Sequence, residues 1–204
     1  MLGTGGVGFT LARALSAAGH DVTLGSRVPE AHEGLPVRVL GYAEAARSAE
    51  VVVNATPGRV SLQTLIAVGS AWLDGKILLD AANAGADDGS LVYPNGSLAG
   101  ELQRAFPAAR VVKALSTFNT SVMTEPGILP VPTTAFIAGD DLDAKRTVAE
   151  LIVDLGWPGQ QILDLGGLDA ARAIEHYYPL FLATYQALRT LRFNIGVVTE
   201  ATQS

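Results

Sequence analysis

Seven short apolar runs, of three to five residues each, alternate along this 204-residue chain with longer segments whose apolar positions return every three or four residues. The runs are Val22 to Leu24, Val37 to Leu40, Val51 to Asn54, Ile77 to Asp80, Val111 to Ala114, Ala135 to Gly139 and Ile162 to Asp164. They are too short for helices and too apolar to face water, so they predict strands of a parallel sheet covered on both faces. Between them the spacing is helical. Val7, Leu11, Leu15 and Ala18 share one face, and Gly19 stands where a left-handed cap belongs. Ser97 to Phe106 keeps Leu98, Leu102 and Phe106 on one side, and Leu142 to Leu155 is a second clear helical segment. Ala84 to Gly96, rich in glycine and aspartate, is the longest stretch without a pattern.

From Asp169 onward the pattern is helical, and five of the thirteen aromatic residues fall between Tyr177 and Phe193. Pro179 is expected to break or kink this tail just after Tyr178. Two readings of the aromatic cluster stay open: a pair of helices that closes the core or forms a dimer seam, and an aromatic wall beside a bound ring. The predicted organisation is a domain over residues 1–166 followed by a helical tail, residues 167–204, that caps it and dimerises.

Gly3-Thr4-Gly5-Gly6-Val7-Gly8 lies directly before the first helical segment. In a βαβ unit the first glycine of such a fingerprint makes the turn after the strand and the second admits a pyrophosphate. The third lets helix and strand pack closely. The alternation and the fingerprint together predict a Rossmann fold, a doubly wound and mostly parallel α/β sheet with a C-terminal helical tail. A P-loop is excluded, because Phe9 stands where its lysine must be. Only Met1 and Leu2 precede the fingerprint, whereas the first strand of such a sheet is usually central and longer. The natural protein is therefore expected to begin several residues upstream with an apolar, β-branched run.

The second strand ends in Gly25-Ser26-Arg27, where an NAD-binding unit carries a carboxylate for the ribose 2′-hydroxyl. That carboxylate would repel the 2′-phosphate of NADP. A guanidinium and a hydroxyl would instead hold it, Arg27 by a charge-assisted bidentate contact and Ser26 by a hydrogen bond. The coenzyme reading is NADP(H).

Composition narrows the rest. A net charge of −6 argues against nucleic acid or an anionic membrane as the partner. The absence of cysteine removes disulfides, thiolate metal sites and a cysteine nucleophile. No metal site is expected. No apolar run approaches a membrane span and nothing resembles a signal peptide, so the expected location is the cytoplasm.

Ligands of open α/β sheets bind beyond the carboxyl ends of the strands. Those ends read Asn54-Ala55-Thr56-Pro57-Gly58, Asp80-Ala81-Ala82-Asn83-Ala84-Gly85 and Lys113-Ala114-Leu115-Ser116-Thr117. They offer small residues for a flat ring, with amides and hydroxyls to orient it. For Asn54 and Asn83, turn capping and coenzyme contact stay equally open. No Tyr-x-x-x-Lys pair exists, and Lys145 is the last lysine, so the tail carries no catalytic lysine. His20 and His32 fall near turns, in structural roles. Asn83, Ser116 and His176 remain as positioning candidates. Hydride transfer between two cofactors suits such an inventory, since placing two rings supplies most of the catalysis.

The chain resembles the NADPH-dependent reductases of the deazaflavin coenzyme F420 and their bacterial relatives, almost end to end. The resemblance rests on Gly3 to Gly8, on Gly19-His20-Asp21-Val22-Thr23-Leu24-Gly25-Ser26-Arg27 and on Val111-Val112-Lys113-Ala114-Leu115-Ser116-Thr117. It extends through Ser121-Val122-Met123, Ala138-Gly139-Asp140-Asp141, Asp164-Leu165-Gly166 and Ala171-Arg172-Ala173-Ile174-Glu175. It implies that Thr4, Ser26 and Arg27 face the NADP phosphates and that the three strand ends flank the nicotinamide. Two places depart from the family pattern: Ala82-Asn83-Ala84 replaces threonine, asparagine and proline, and Ser116 replaces asparagine. The implied activity is hydride transfer between NADPH and F420 or a similar flat acceptor, in a homodimer whose partner is a small molecule or cofactor. A non-catalytic NADP-binding sensor and an imine or carbonyl reductase related to pyrroline-5-carboxylate reductase are the alternatives.

Overall fold

The structure is a computed structural model that describes residues 1–32 and 36–200. Its strands are β1 (Thr23–Ser26), β2 (Arg38–Gly41), β3 (Val51–Asn54), β4 (Ile77–Asp80), β5 (Arg110–Ala114), β6 (Ala135–Gly139) and β7 (Ile162–Asp164). The helices are α1 (Gly6–Ala17), α2 (Tyr42–Ser48), α3 (Gly58–Val68), α4 (Leu98–Ala105), α5 (Thr120–Met123), α6 (Leu142–Asp154) and α7 (Ala171–Leu188). Strands β3 to β7 pair in chain order, and β1 pairs with β2. All pairs are parallel except β5 with β6.

Leu2 joins the two groups of strands. Its N–H donates to the Val53 carbonyl at 2.8 Å, and its carbonyl accepts from Ala55 N–H at 2.9 Å. On the other side Gly25 N–H donates to the Met1 carbonyl and Gly3 N–H to the Gly25 carbonyl. One central position thus spans β1 and β3, and the fingerprint glycines emerge from the middle of the sheet.

Alternation along the strands builds two cores, one on each face. Val53, Leu79 and Val112 point to the face covered by α1 and α6 through Leu11, Leu15, Val148 and Ile152. Val52, Leu78 and Val111 point to the face covered by α2, α3 and α4 through Ala45, Leu65, Leu98 and Leu102. This is the doubly wound α/β fold.

The structure adjusts several boundaries. The strand expected over Val22 to Leu24 runs instead to Ser26, because Gly25 and Ser26 pair with Leu40 and Gly41. A Cβ at Gly25 would stand 2.9 Å from both Leu2 and Tyr42, so only glycine allows that close layer. Strand β2 runs from Arg38 to Gly41 rather than from Val37 to Leu40, and β5 begins at Arg110 rather than Val111. Ser97, Phe106 and Leu155 are caps rather than helical residues, Ser97 accepting the Gly100 N–H. Pro179 does not end the tail helix, which runs unbroken from Ala171 to Leu188. Proline withdraws a donor from the turn before it. The helix survives because Ile174 and Tyr177 are buried on one side of Pro179, while Phe181 stacks on Phe193 beyond it. The tail is not helical throughout. After Leu188 it turns back to the segment just before β6, where Thr134 N–H donates to the Ile195 carbonyl and Asn194 Nδ2 to Thr133 Oγ1.

Candidate active site

A cleft of about 600 Å³ opens at the carboxyl ends of the strands. It runs from the end of β1, past the fingerprint, to the ends of β4 and β5. Gly3, Thr4, Gly5, Gly6, Val7, Ser26, Arg27, Ala55, Thr56, Pro57, Ala82, Asn83 and Ser116 all line it. No aspartate or glutamate is among the described residues that do.

The glycines divide by what surrounds them. A Cβ on Gly3, whose φ is +112°, would stand 2.5 Å from the Ala55 carbonyl oxygen. One on Gly8 would stand 2.0 Å from the Gly3 oxygen, so Gly8 lies under the turn and packs α1 on the sheet without reaching the cleft. A Cβ on Gly5 or Gly6 would meet nothing within 4 Å. The space over these two is open, and α1 begins there with no side-chain cap and no acidic residue in its first turn. Its free N–H groups and positive dipole end suit a pyrophosphate. Helix α3 starts at the same rim, also uncapped, and Gly58 lies so close to Asn83 that a Cβ would stand 2.0 Å from its carbonyl oxygen.

At the β1 end, Ser26 is 5% exposed and its Oγ accepts the Val28 N–H at 3.1 Å, leaving the hydroxyl hydrogen free to donate. Arg27 is exposed beside it. His32, expected in a structural role, also lines this part of the cleft. His20 does not, and pairs with Asp154 at 2.9 Å on the outside.

The opposite end is uncharged and mostly apolar. Leu115 is a non-glycine residue with φ of +61°, a left-handed conformation that costs of order 1–3 kcal/mol. It turns the chain so that Ser116 faces the cleft. Asn83 Nδ2 donates to the Ser116 carbonyl at 2.6 Å and ties the ends of β4 and β5 together. Asn83 Oδ1 and Ser116 Oγ are buried and have no hydrogen-bond partner among the described residues. Two unpaired polar atoms in a cleft wall are what an amide-bearing ring would satisfy. Phe118 and Met123 close this end. Phe118 stacks on Trp157 with ring centroids 4.8 Å apart, and Trp157 Nε1 donates to the Met123 carbonyl at 3.0 Å.

Two site candidates lie elsewhere. His176 is exposed on α7 and is not part of the cleft wall, because Ile174, Glu175 and Tyr177 occupy the inward side of that helix. Asn54 is wholly buried below the cleft. Its Nδ2 donates to Asp80 Oδ1 at 2.8 Å and its Oδ1 accepts from Thr56 Oγ1 at 2.7 Å.

Asn54 belongs to a buried polar row absent from the expected site. Asn54, Asp80 and Lys113 are register partners on adjacent strands, all facing the α4 side. Lys113 Nζ lies 2.9 Å from Asp80 Oδ2 and 3.1 Å from Glu175 Oε1, and all three residues are at most 2% exposed. Glu175, from α7, also accepts the Leu98 and Ala99 N–H groups at the start of α4. Burial alone would lower the pKa of Lys113, but Asp80 and Glu175 more than offset it and raise it above the ordinary lysine value. The ammonium stays charged. The available signal was that three apolar runs each carry a polar residue at or next to their carboxyl end, Asn54, Asp80 and Lys113.

An uncapped helix over open glycines, with an arginine at the end of β1 and no carboxylate among the described residues of the cleft wall, defines a dinucleotide-binding oxidoreductase of the NADP type. Known proteins narrow the class. Residues 1–84 match the family described as NADP oxidoreductase, coenzyme F420-dependent. The F420-dependent NADP reductase of Methanothermobacter marburgensis is 31% identical, with 88% of each chain covered. A crystal structure from Arthrobacter sp. FB24, described as that of a candidate F420-dependent NADP reductase, superposes with a TM-score of 0.92 at 40% identity, covering 97% of each chain. The metalloreductase STEAP3 of Rattus norvegicus is 31% identical over 86% of this chain, which spans only 35% of that protein's length. The chain belongs to the F420-dependent NADP oxidoreductase family, and it is an NADP-dependent oxidoreductase.

Proposed function

We propose that this protein transfers hydride between NADPH and a deazaflavin of the F420 type. The observation that carries the reading is the asymmetry of the cleft: a cationic end at Arg27, with no carboxylate among the described residues that line it, and an uncharged end lined by Leu115, Phe118 and Met123. The names of the family and of the Methanothermobacter relative support the acceptor.

Each group has a role in this reading. The α1 N–H groups and Thr4 bind the pyrophosphate, while Ser26 and Arg27 bind the 2′-phosphate. Ala55, Thr56, Pro57 and Ala82 shape the floor. Asn83 Oδ1 accepts from the carboxamide and Ser116 Oγ donates to it, which fixes the ring in plane. NADPH, when bound, supplies the hydride chemistry. Phe118 and Met123 exclude water from the ring's outer side, where a second flat ring would stack. No described side chain in that end of the cleft is placed as a strong acid or base, and direct hydride transfer asks for none.

The exposed apolar residues of α7, Leu180, Tyr185 and Leu188, support a homodimer joined through the tail. None of the described helices is long and apolar enough to cross a membrane; a cytoplasmic location is part of the same proposal. Mixing the protein with NADPH and oxidised F420 tests the reaction. The deazaflavin absorbance should bleach in step with NADPH oxidation. No bleaching, with NADPH bound, would leave the acceptor assignment wrong.

A further inference from the structure

The cluster of Lys113, Asp80 and Glu175 touches the cleft at one point, and that point is clamped twice. Lys113 Nζ donates to the Ala82 carbonyl, and Asp80 Oδ1 accepts the Ala82 N–H at 3.2 Å. Both backbone polar groups of Ala82 are therefore held by buried charged side chains. Ala82 lines the cleft, and the next residue, Asn83, carries the unpaired Oδ1 and ties down Ser116. The far side of the cluster is Glu175, which comes from α7, about sixty residues beyond the last strand end that lines the cleft. Its two oxygens are shared among Lys113 Nζ and the first N–H groups of α4.

Fold stability alone does not call for this arrangement. Buried ion clusters are on average no better than apolar packing of the same volume, since desolvation consumes the Coulomb attraction. What they provide is a single geometry: each partner has donors and acceptors satisfied only in one position. Here that position includes the peptide group of Ala82.

We propose that Glu175 is a positioning residue, through which the C-terminal helix holds Lys113 in place and thereby sets the Ala82–Asn83 floor against which the nicotinamide end of the coenzyme rests. The inference deepens the NADPH reading and rests on it for the ligand. Glu175 touches no ligand itself; it acts through Lys113. Removing its charge frees the ammonium to tilt toward Asp80, which relaxes its hold on the Ala82 carbonyl. Coenzyme affinity then falls even when the fold is intact.

The test compares Glu175→Gln with Ile174→Ala, a neighbouring buried residue on α7 that makes no bond to the cluster. Melting temperature, NADPH dissociation constant and amide hydrogen exchange at Ala82 and Asn83 are measured for both. Glu175→Gln should weaken NADPH about tenfold and speed exchange at Ala82 and Asn83 about tenfold, the scale of one charge-assisted hydrogen bond. Ile174→Ala should lower the melting temperature while leaving both within twofold of the wild type. Should Glu175→Gln fail to fold, Glu175→Asp, which keeps the charge but shortens the reach, is read by the same two measurements. NADPH affinity and Ala82 exchange both within twofold of wild type, or moved equally by Ile174→Ala, would overturn the proposal. If the wild-type protein binds no NADPH, the functional reading fails on its own, and exchange at Ala82 still decides whether Glu175 holds the floor.

Discussion

The two ends of the cleft are built on opposite principles. At the β1 end the group proposed to recognise the coenzyme is exposed: Arg27 stands in solvent, where a ligand's charge can reach it. At the β4–β5 end the charges are buried out of reach in Asp80, Lys113 and Glu175, and what faces the cleft is uncharged, close-packed and strained at Leu115. An exposed cation selects among ligands, because its interaction depends on the ligand's charge and little on its exact placement. A buried lattice of bonds selects a position, which is what hydride transfer needs, since small displacements of the reacting ring cost much of the rate.

The largest effect should come from breaking the buried end. Lys113→Met leaves Asp80 and Glu175 facing each other without a cation, and should destabilise the protein by about 3–5 kcal/mol, the usual range when one partner of a buried pair is removed. Urea denaturation checks it. A loss below about 1 kcal/mol would mean that the two carboxylates neutralise by taking up a proton. Because the pKa of Lys113 is raised, the stability it contributes is present throughout the range below the ordinary lysine value and is lost only as pH rises through the raised one.

The exposed end should respond in affinity and not in stability. Arg27→Ala should weaken NADPH by about ten- to a hundredfold, leave NADH nearly unchanged and shift the melting temperature little. Ser26→Asp should go further and turn the preference toward NADH, since the new carboxylate repels the 2′-phosphate and accepts from the ribose hydroxyls. Titration of both nucleotides separates the outcomes. Equal losses for NADH and NADPH would show that Arg27 serves the pyrophosphate or the fold.

The smallest effect belongs to His176. It lies outside both ends of the cleft, so His176→Ala should lower the rate less than about tenfold, below the usual contribution of a general acid. Steady-state rates with NADPH check it, and a thousandfold loss with binding intact would bring α7 into the chemistry.

Much of the exposed end was legible from the chain alone. The glycine spacing, the helical pattern behind it and Ser26-Arg27 after a short apolar run are local features, each within about thirty residues of the next, and they report on backbone geometry and charge directly. The strands were legible for the same reason to within a residue or two at their ends, and the largest shift is at β1, which Gly25 and Ser26 continue: a glycine gives no apolar signal, yet the layer there requires one. Pro179 shows the opposite failure, a strong local rule overridden by packing on both sides of the residue.

The sequence by itself determined the alternation of strands and helices, the coenzyme class and the absence of cysteine chemistry, because periodicity, turn residues and charge act over short stretches of chain. Only the tertiary structure decided that Asn54 leaves the cleft for a buried row, that His176 stays outside, and that Lys113 and Glu175 meet. Asn54 bonds Asp80, 26 positions away, and Glu175 reaches back to Leu98, 77 positions away. Which polar residue pairs with which follows from strand order and register, and neither is written in any one segment.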